Sequence, residues 1–179
     1  MGCSSSDEVT AGVAEPPTVF GDERPTELFV PSDYDASQPT PLLLLLHGFT
    51  TSGLIQDLYL GLKGPALERG MLYLRPDGTV NPDGSRFWNA TPACCDFHNS
   101  GVDDAAYLRG LIDEVRAHYN VDAKRIYLAG HSNGHYMAYR MACDHADVIA
   151  AIAGLAGGMY AKPDEQCHAS EPVHTLHMH

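Results

Sequence analysis

Basic residues are scarce in this 179-residue chain: 11 Lys and Arg stand against 23 Asp and Glu, a formal charge of −12. No stretch clusters cations as a phosphate-tracking surface requires, so nucleic-acid binding is excluded as a role. Long apolar runs are also missing. The longest run of large aliphatic side chains, Leu42 to Leu46, has five residues, against the roughly 20 that a membrane-spanning helix needs. Charged residues make up only 19% and hydrophobic ones 44%, which is too little charge for a disordered chain and enough apolar side chain for a core. The length suits one domain or part of one. No carboxylate or third histidine stands at ligand spacing near the His177-x-His179 pair, so no metal is expected.

Both ends lack what usually frames a domain. Residues 1–20 have acidic and small residues, Pro16 and Pro17, and no apolar periodicity before Val19, which reads as a flexible tether. Met1-Gly2-Cys3 followed by serines resembles the end of a bacterial lipoprotein signal, with Cys3 as the lipidation candidate and a possible lipid anchor to a membrane. No charged and apolar regions precede it. The same letters fit a myristoylation pattern or a plain tail. At the other end, Pro172 to His179 is β-like and no helix, cap or polar tail follows, so the domain over 21–179 is expected to be incomplete.

Between the ends, short apolar runs alternate with helical patterns. Leu42–Leu46, Met71–Leu74, Arg125–Ala129 and Val148–Ala153 suit strands buried on both faces of a sheet. Ala105, Leu108, Ile112, Val115 and Tyr119 recur at helical spacing, with Asp103 and Asp104 where a helix start favours negative charge. Asn133–His145 is a second helical stretch. Strands alternating with helices predict an α/β fold with a mostly parallel sheet and helices on both faces.

Gly130-His131-Ser132-Asn133-Gly134 matches G-x-S-x-G. The bare pattern would arise roughly 0.1 times by chance in a chain of this composition. Its setting gives it weight, because a predicted strand ends before it and a predicted helix begins after it. That strand-turn-helix elbow exposes a serine hydroxyl at a helix N-terminus, where developing negative charge is favoured. Ser132 is therefore the candidate catalytic nucleophile. A tetrahedral oxyanion needs two N–H donors. Asn133 supplies the first; the second is expected from His47-Gly48-Phe49-Thr50 after the leucine strand, with Phe49 preferred and Thr50 behind it. The competing reading is a serine that merely caps a helix.

These segments together resemble the polyhydroxybutyrate depolymerase and feruloyl esterase group of α/β-hydrolases. The resemblance runs from about Arg24 to His179. It is carried by Pro41 to Phe49, Arg75-Pro-Asp-Gly-Thr79, Phe87 to Ala90, Cys94-Cys95, Gly101 to Asp104 with Leu108 to Ile112, Gly130 to Gly134, Ala138 to Cys143, and Pro172 to His179. It implies a serine carboxylic-ester hydrolase that works through an acyl-enzyme on Ser132, without a cofactor, on a polyester or a plant cell-wall phenolic ester. Two departures stand out. His135 occupies a position where the group commonly has glycine, and the region that would carry the catalytic Asp and His is absent. Asp144, Asp147, Asp164, Glu165, Glu171 and the histidines from His168 onward fit those roles poorly.

Around the site, His47, Trp88, His131 and His135 are candidates for the substrate pocket, against ordinary packing and hydrogen bonding for each. Of the five cysteines, Cys3 is set aside for acylation. Cys94, Cys95, Cys143 and Cys167 are expected to form two bridges in an exported protein, secreted or held at the cell envelope. Adjacent Cys94 and Cys95 are expected to pair with Cys143 and Cys167 rather than with each other; buried thiols are the alternative. The rival functions are a peptidase or acyltransferase using the same elbow, and a catalytically inactive cell-surface binding module.

Overall fold

A computed structural model describes residues 15–179; Cys3 lies outside the described residues. A seven-stranded sheet is ordered β1-β2-β4-β3-β7-β8-β9. Its strands are β1 (Val19–Phe20), β2 (Thr26–Phe29), β3 (Thr40–Leu46), β4 (Leu72–Leu74), β7 (Val121–His131), β8 (Ala151–Leu155) and β9 (His174–Met178), with β5 (Thr79–Val80) and β6 (Arg86–Phe87) forming a separate hairpin. The β1–β2 and β2–β4 pairings are antiparallel, and β4, β3, β7, β8 and β9 run parallel. The expected α/β class with a mostly parallel sheet is what the chain adopts.

The five leucines of β3 sit on the central strand, and period-two alternation sends them to opposite faces. Leu42, Leu44 and Leu46 join the main core under helices α3 (Asp104–His118) and α4 (Asn133–Asp144), with Leu108, Ile112, Val115, Met137 and Met141. Leu45 packs on the other side with Ala66 and Tyr73, beneath α1 (Gly53–Leu60) and α2 (Lys63–Glu68). A four-residue helix, α5 (Pro163–Gln166), lies between β8 and β9. Helix α3 begins where expected: the Asp103 side chain accepts the Ala106 N–H, Asp104 lies in the first turn, and Arg116 and His118 close the last turn, signs that suit the helix dipole at both ends.

Three expectations are corrected. The tether expected over 1–20 gives way to strand β1 at Val19, because Phe20 is buried against His118 and Tyr119. Val148–Ala150 precede β8 instead of forming it; Ala150 N–H donates to the Ile126 carbonyl as the chain turns into the sheet. The disulfides are Cys143–Cys167 and the vicinal Cys94–Cys95. Cys143 in the last turn of α4 and Cys167 just after α5 have Cα atoms 5.1 Å apart, within bridging distance, which leaves Cys94 and Cys95 to each other.

Candidate active site

The elbow forms where β7 passes into α4. Ser132 has φ 50° and ψ −118°, a backbone conformation that an L residue holds only when its surroundings enforce it. Three contacts do so. Ser132 N–H donates to the Leu155 carbonyl of β8. A Cβ on Gly130 would collide with the Gly134 carbonyl, and one on Gly134 with the Leu46 and His47 carbonyls, so both glycines are needed for the helix to sit this close to the sheet. The Ser132 side chain makes no capping hydrogen bond to α4, so the capping reading of this serine fails.

The donor loop follows β3. Thr50 N–H is spent on the Arg86 carbonyl at 2.8 Å and Gly48 N–H on Gln56 Oε1 at 3.0 Å. Among the described residues the Phe49 N–H has no acceptor, nor has the Asn133 N–H at the start of α4. These two donors flank Ser132 and are free to meet an oxyanion. Gln56 was invisible to motif reading because it lies eight residues from Gly48 on a helix without a sequence signature. Its Oε1 also accepts from His131 Nδ1 at 3.2 Å, so one buried amide holds the donor loop and the residue before the serine together.

Asn133 contributes more than its backbone. Its Oδ1 accepts the Trp88 N–H at 2.7 Å and its Nδ2 donates to the Trp88 carbonyl at 2.9 Å, both fully buried. Replacing Asn133 with Ala would strand two backbone groups, at about 1–3 kcal/mol each. Urea unfolding of Asn133→Ala should therefore show a loss of about 2–6 kcal/mol, and an unchanged midpoint would refute the clasp. The same segment is anchored behind by buried Asp104, which accepts the Asn89 N–H at 2.7 Å and pairs with Arg24 at 2.6 Å. Burial raises the Asp104 carboxyl above its usual range, opposed by these partners.

Beside Ser132 lies an open cleft of about 340 Å³ lined by Gly48, Phe49, Thr51, Ile55, Gln56, Tyr59 and His131. Of the four pocket candidates only His131 lines it, its ring 5.6 Å from that of Tyr59. The other three are corrected to the interior, each fully buried. His47 donates through Nδ1 to the Gly48 carbonyl and accepts the Gly78 N–H on Nε2, so it ties the 76–78 turn to the donor loop; burial lowers its pKa and keeps it neutral. Trp88 donates its indole N–H to the His47 carbonyl and packs on that ring. His135 fills the space left by Gly154 and Gly157, accepts the Gly157 N–H on Nδ1, and stacks on Tyr139. Burial and the neighbouring His177 lower its pKa to about 4.

Among the described residues no imidazole or carboxylate hydrogen-bonds the Ser132 hydroxyl, and no group of three or more His, Cys, Asp or Glu side chains is placed to hold a metal ion. His177 and His179 stack with centroids 6.0 Å apart, and His177 Nδ1 is engaged by the Tyr139 hydroxyl.

A serine at positive φ between a parallel strand and a helix, with a donor loop from the adjacent strand, defines an α/β-hydrolase-like domain. The sequence profile described as Esterase PHB depolymerase matches residues 27–171, and the chain belongs to that family. Feruloyl esterase B of Piromyces equi is 35% identical over 123 residues, covering 69% of this chain and 22% of its own length. Feruloyl esterase C of Emericella nidulans is 26% identical over 99% of this chain and 60% of its own. The chain thus spans less than two thirds of either relative. The acetyl xylan esterase of Aspergillus awamori superposes with a TM-score of 0.58 at 18% identity, over 79% of this chain and 49% of that one, a likeness of fold.

Proposed function

We propose that the chain carries the nucleophile and oxyanion donors of a serine carboxylic-ester hydrolase acting on a polyester or on phenolic esters of the plant cell wall. The observation that carries the proposal is the Ser132 elbow with two unengaged N–H groups beside it, Phe49 and Asn133, while the neighbouring Gly48 and Thr50 donors are occupied. Ser132 Oγ forms a bond to the ester carbonyl carbon as its proton passes to a general base. The carbonyl oxygen takes the charge and accepts from the Phe49 and Asn133 N–H groups. Collapse expels the alcohol and leaves an acyl-enzyme, which water hydrolyses. Family membership and the named ester hydrolases among its relatives support this chemistry. The Cys143–Cys167 bridge supports export to an oxidising compartment.

The test uses the protein made from its natural gene. A fluorophosphonate should add once, on the peptide bearing Ser132. Ser132→Ala should lose both the adduct and turnover of p-nitrophenyl butyrate, with stability held to within about 0.5 kcal/mol, because a half-exposed hydroxyl with no partner contributes little to packing. An adduct elsewhere, or turnover that survives the substitution, would end the assignment.

A further inference from the structure

His135 lies three residues after Ser132 in the first turn of α4, fully buried, at a position where the sequence departs from the group it resembles. Its ring is pressed between α4 and the turn that follows β8. A Cβ on Gly154 would overlap the imidazole, and one on Gly157 would strike both the His135 Cβ and the Ser132 carbonyl. The same turn holds the serine. Ser132 N–H donates to the Leu155 carbonyl and, two residues on, the Gly157 N–H donates to His135 Nδ1 at 3.2 Å. Residues 155–157 are thus fastened at one end to the backbone of the serine and at the other to the histidine ring.

The second fastening fixes the state of the ring. An N–H donor can be met only by a bare ring nitrogen, so Nδ1 carries the lone pair and the one proton of the neutral imidazole sits on Nε2. That Nε2 is buried and has no hydrogen-bond partner among the described residues. A second proton can enter only on Nδ1, where it would face the Gly157 N–H donor to donor. The charged ring and this hydrogen bond therefore exclude each other. The surroundings also oppose the charge. Strand β9 presents His177, its ring 5.0 Å away, with His179 stacked behind it. Helix α4 presents Tyr139, stacked on the ring with its hydroxyl engaged by His177, while β8 and the turn contribute the uncharged Gly154 and Gly157. Burial first and His177 second hold the pKa at about 4, below the ordinary 6.5, and no carboxylate offsets them.

We infer that His135 is a positioning residue and an acid-operated latch for the elbow: as the neutral ring it holds residues 155–157 behind Ser132, and on taking a proton at Nδ1 it must release them. The latch stands on the packing around His135; only its effect on turnover rests on the function proposed above. Opened molecules bind this proton in the ordinary histidine range and latched ones near pH 4, so the open state gains as pH falls below about 6.5 and gains no further below about 4. Over that window the ratio of latched to open molecules should fall by up to about 300-fold, tenfold per pH unit. The experiment follows hydrogen exchange at the Ser132 and Gly157 amides from pH 8 to pH 4, corrected for the intrinsic pH dependence of exchange, in the protein made from its natural gene. His135→Asn keeps an acceptor where Nδ1 stands but cannot take the proton. His135→Phe keeps a ring without acceptor or proton, so either variant serves as the non-titrating reference. Wild-type protection at both amides should drop with acid by about the stated factor more than in the variants. At pH 8, p-nitrophenyl butyrate turnover should survive His135→Asn better than His135→Phe, the loss falling on kcat and not on KM. Wild-type protection that ignores pH, or an acid loss that the variants share in full, would overturn the inference. Turnover indifferent to His135 and to Ser132, with the acid loss of protection still dependent on His135, would count against the Ser132 assignment and leave the latch standing.

Discussion

A polypeptide of residues 1–179 alone is expected to hydrolyse p-nitrophenyl butyrate at least about 10³-fold more slowly than a serine hydrolase whose nucleophile has its base. The reason is the fate of each histidine near the elbow. His131 directs Nδ1 at Gln56, not at its neighbouring serine. His47 has both ring nitrogens on backbone groups, His135 is buried between α4 and β8, and His177 bonds Tyr139. The carboxylates after the serine are no closer to the role: Asp144 pairs with Arg140, Asp147 with Arg109 and Glu165 with Lys162. What residues 15–179 supply, on the function proposed above, is the Phe49 and Asn133 N–H groups as oxyanion donors, and an oxyanion hole without a base retains only a small part of triad catalysis. Stopped assays at high enzyme concentration, with Ser132→Ala as the blank, measure the remainder. Ser132-dependent turnover at a rate typical of an esterase would show that one of these histidines reaches the serine after all.

The parts of this fold that were legible are those where local chemistry and tertiary role agree. The leucines of β3 and the 3-4-3-4 spacing of α3 are what a buried parallel strand and an amphipathic helix require, and both elements form where the pattern lies. The elbow was legible because its glycines answer a backbone demand that no other residue type meets at that distance. Helix α1 was not, because it buries Gln56 and Asp57 and exposes its leucines, the reverse of the pattern that periodicity detects. The polar side is held by its hydrogen bonds, Gln56 to the Gly48 N–H and Asp57 to the Tyr73 hydroxyl and the Lys63 N–H. Val148–Ala150 misled for a different cause, since an apolar run is the same letter string whether it makes a ladder or packs just before one.

Proximity to the motif in sequence placed Phe49 and His131 at the cleft but not His47, Trp88 or His135. His47, Trp88 and His135 flank the chemically suggestive segments, yet their rings are buried against backbone groups: His47 on the Gly48 carbonyl and Gly78 N–H, Trp88 on the His47 carbonyl, and His135 through Nδ1 on the Gly157 N–H, its Nε2 left without a partner among the described residues. Beside the motif residues Gly48, Phe49 and His131, the walls include Ile55 and Tyr59, four residues apart on a helix with no recognisable signature. A buried histidine and a wall histidine are written with the same letter, and only the three-dimensional count of donors and acceptors separates them.

Gly134→Ala should cost at least about 3 kcal/mol of stability, a large share of the roughly 5–15 kcal/mol that a domain has. The added methyl would overlap the Leu46 and His47 carbonyls at the end of the central strand. Backbone carbonyls there cannot step aside as a flexible side chain would, because β3 is held on both sides by β4 and β7. Relief must come from lifting the first turn of α4 off the sheet. That movement releases Ser132 from its positive φ, swings the Asn133 N–H away from the Phe49 N–H, and loosens the Asn133 clasp on Trp88. Stability and ester turnover should therefore fall together. Gly110→Ala is the matched control: it lies inside α3 with open space where the methyl would go. Replacing a helical glycine by alanine there should stabilise by about 0.5–1 kcal/mol. Urea midpoints of the two variants should move in opposite directions from the wild type. A Gly134→Ala protein with an unshifted midpoint would mean that strand and helix are not pressed together at the elbow, and that Ser132 owes its backbone conformation to something other than this contact.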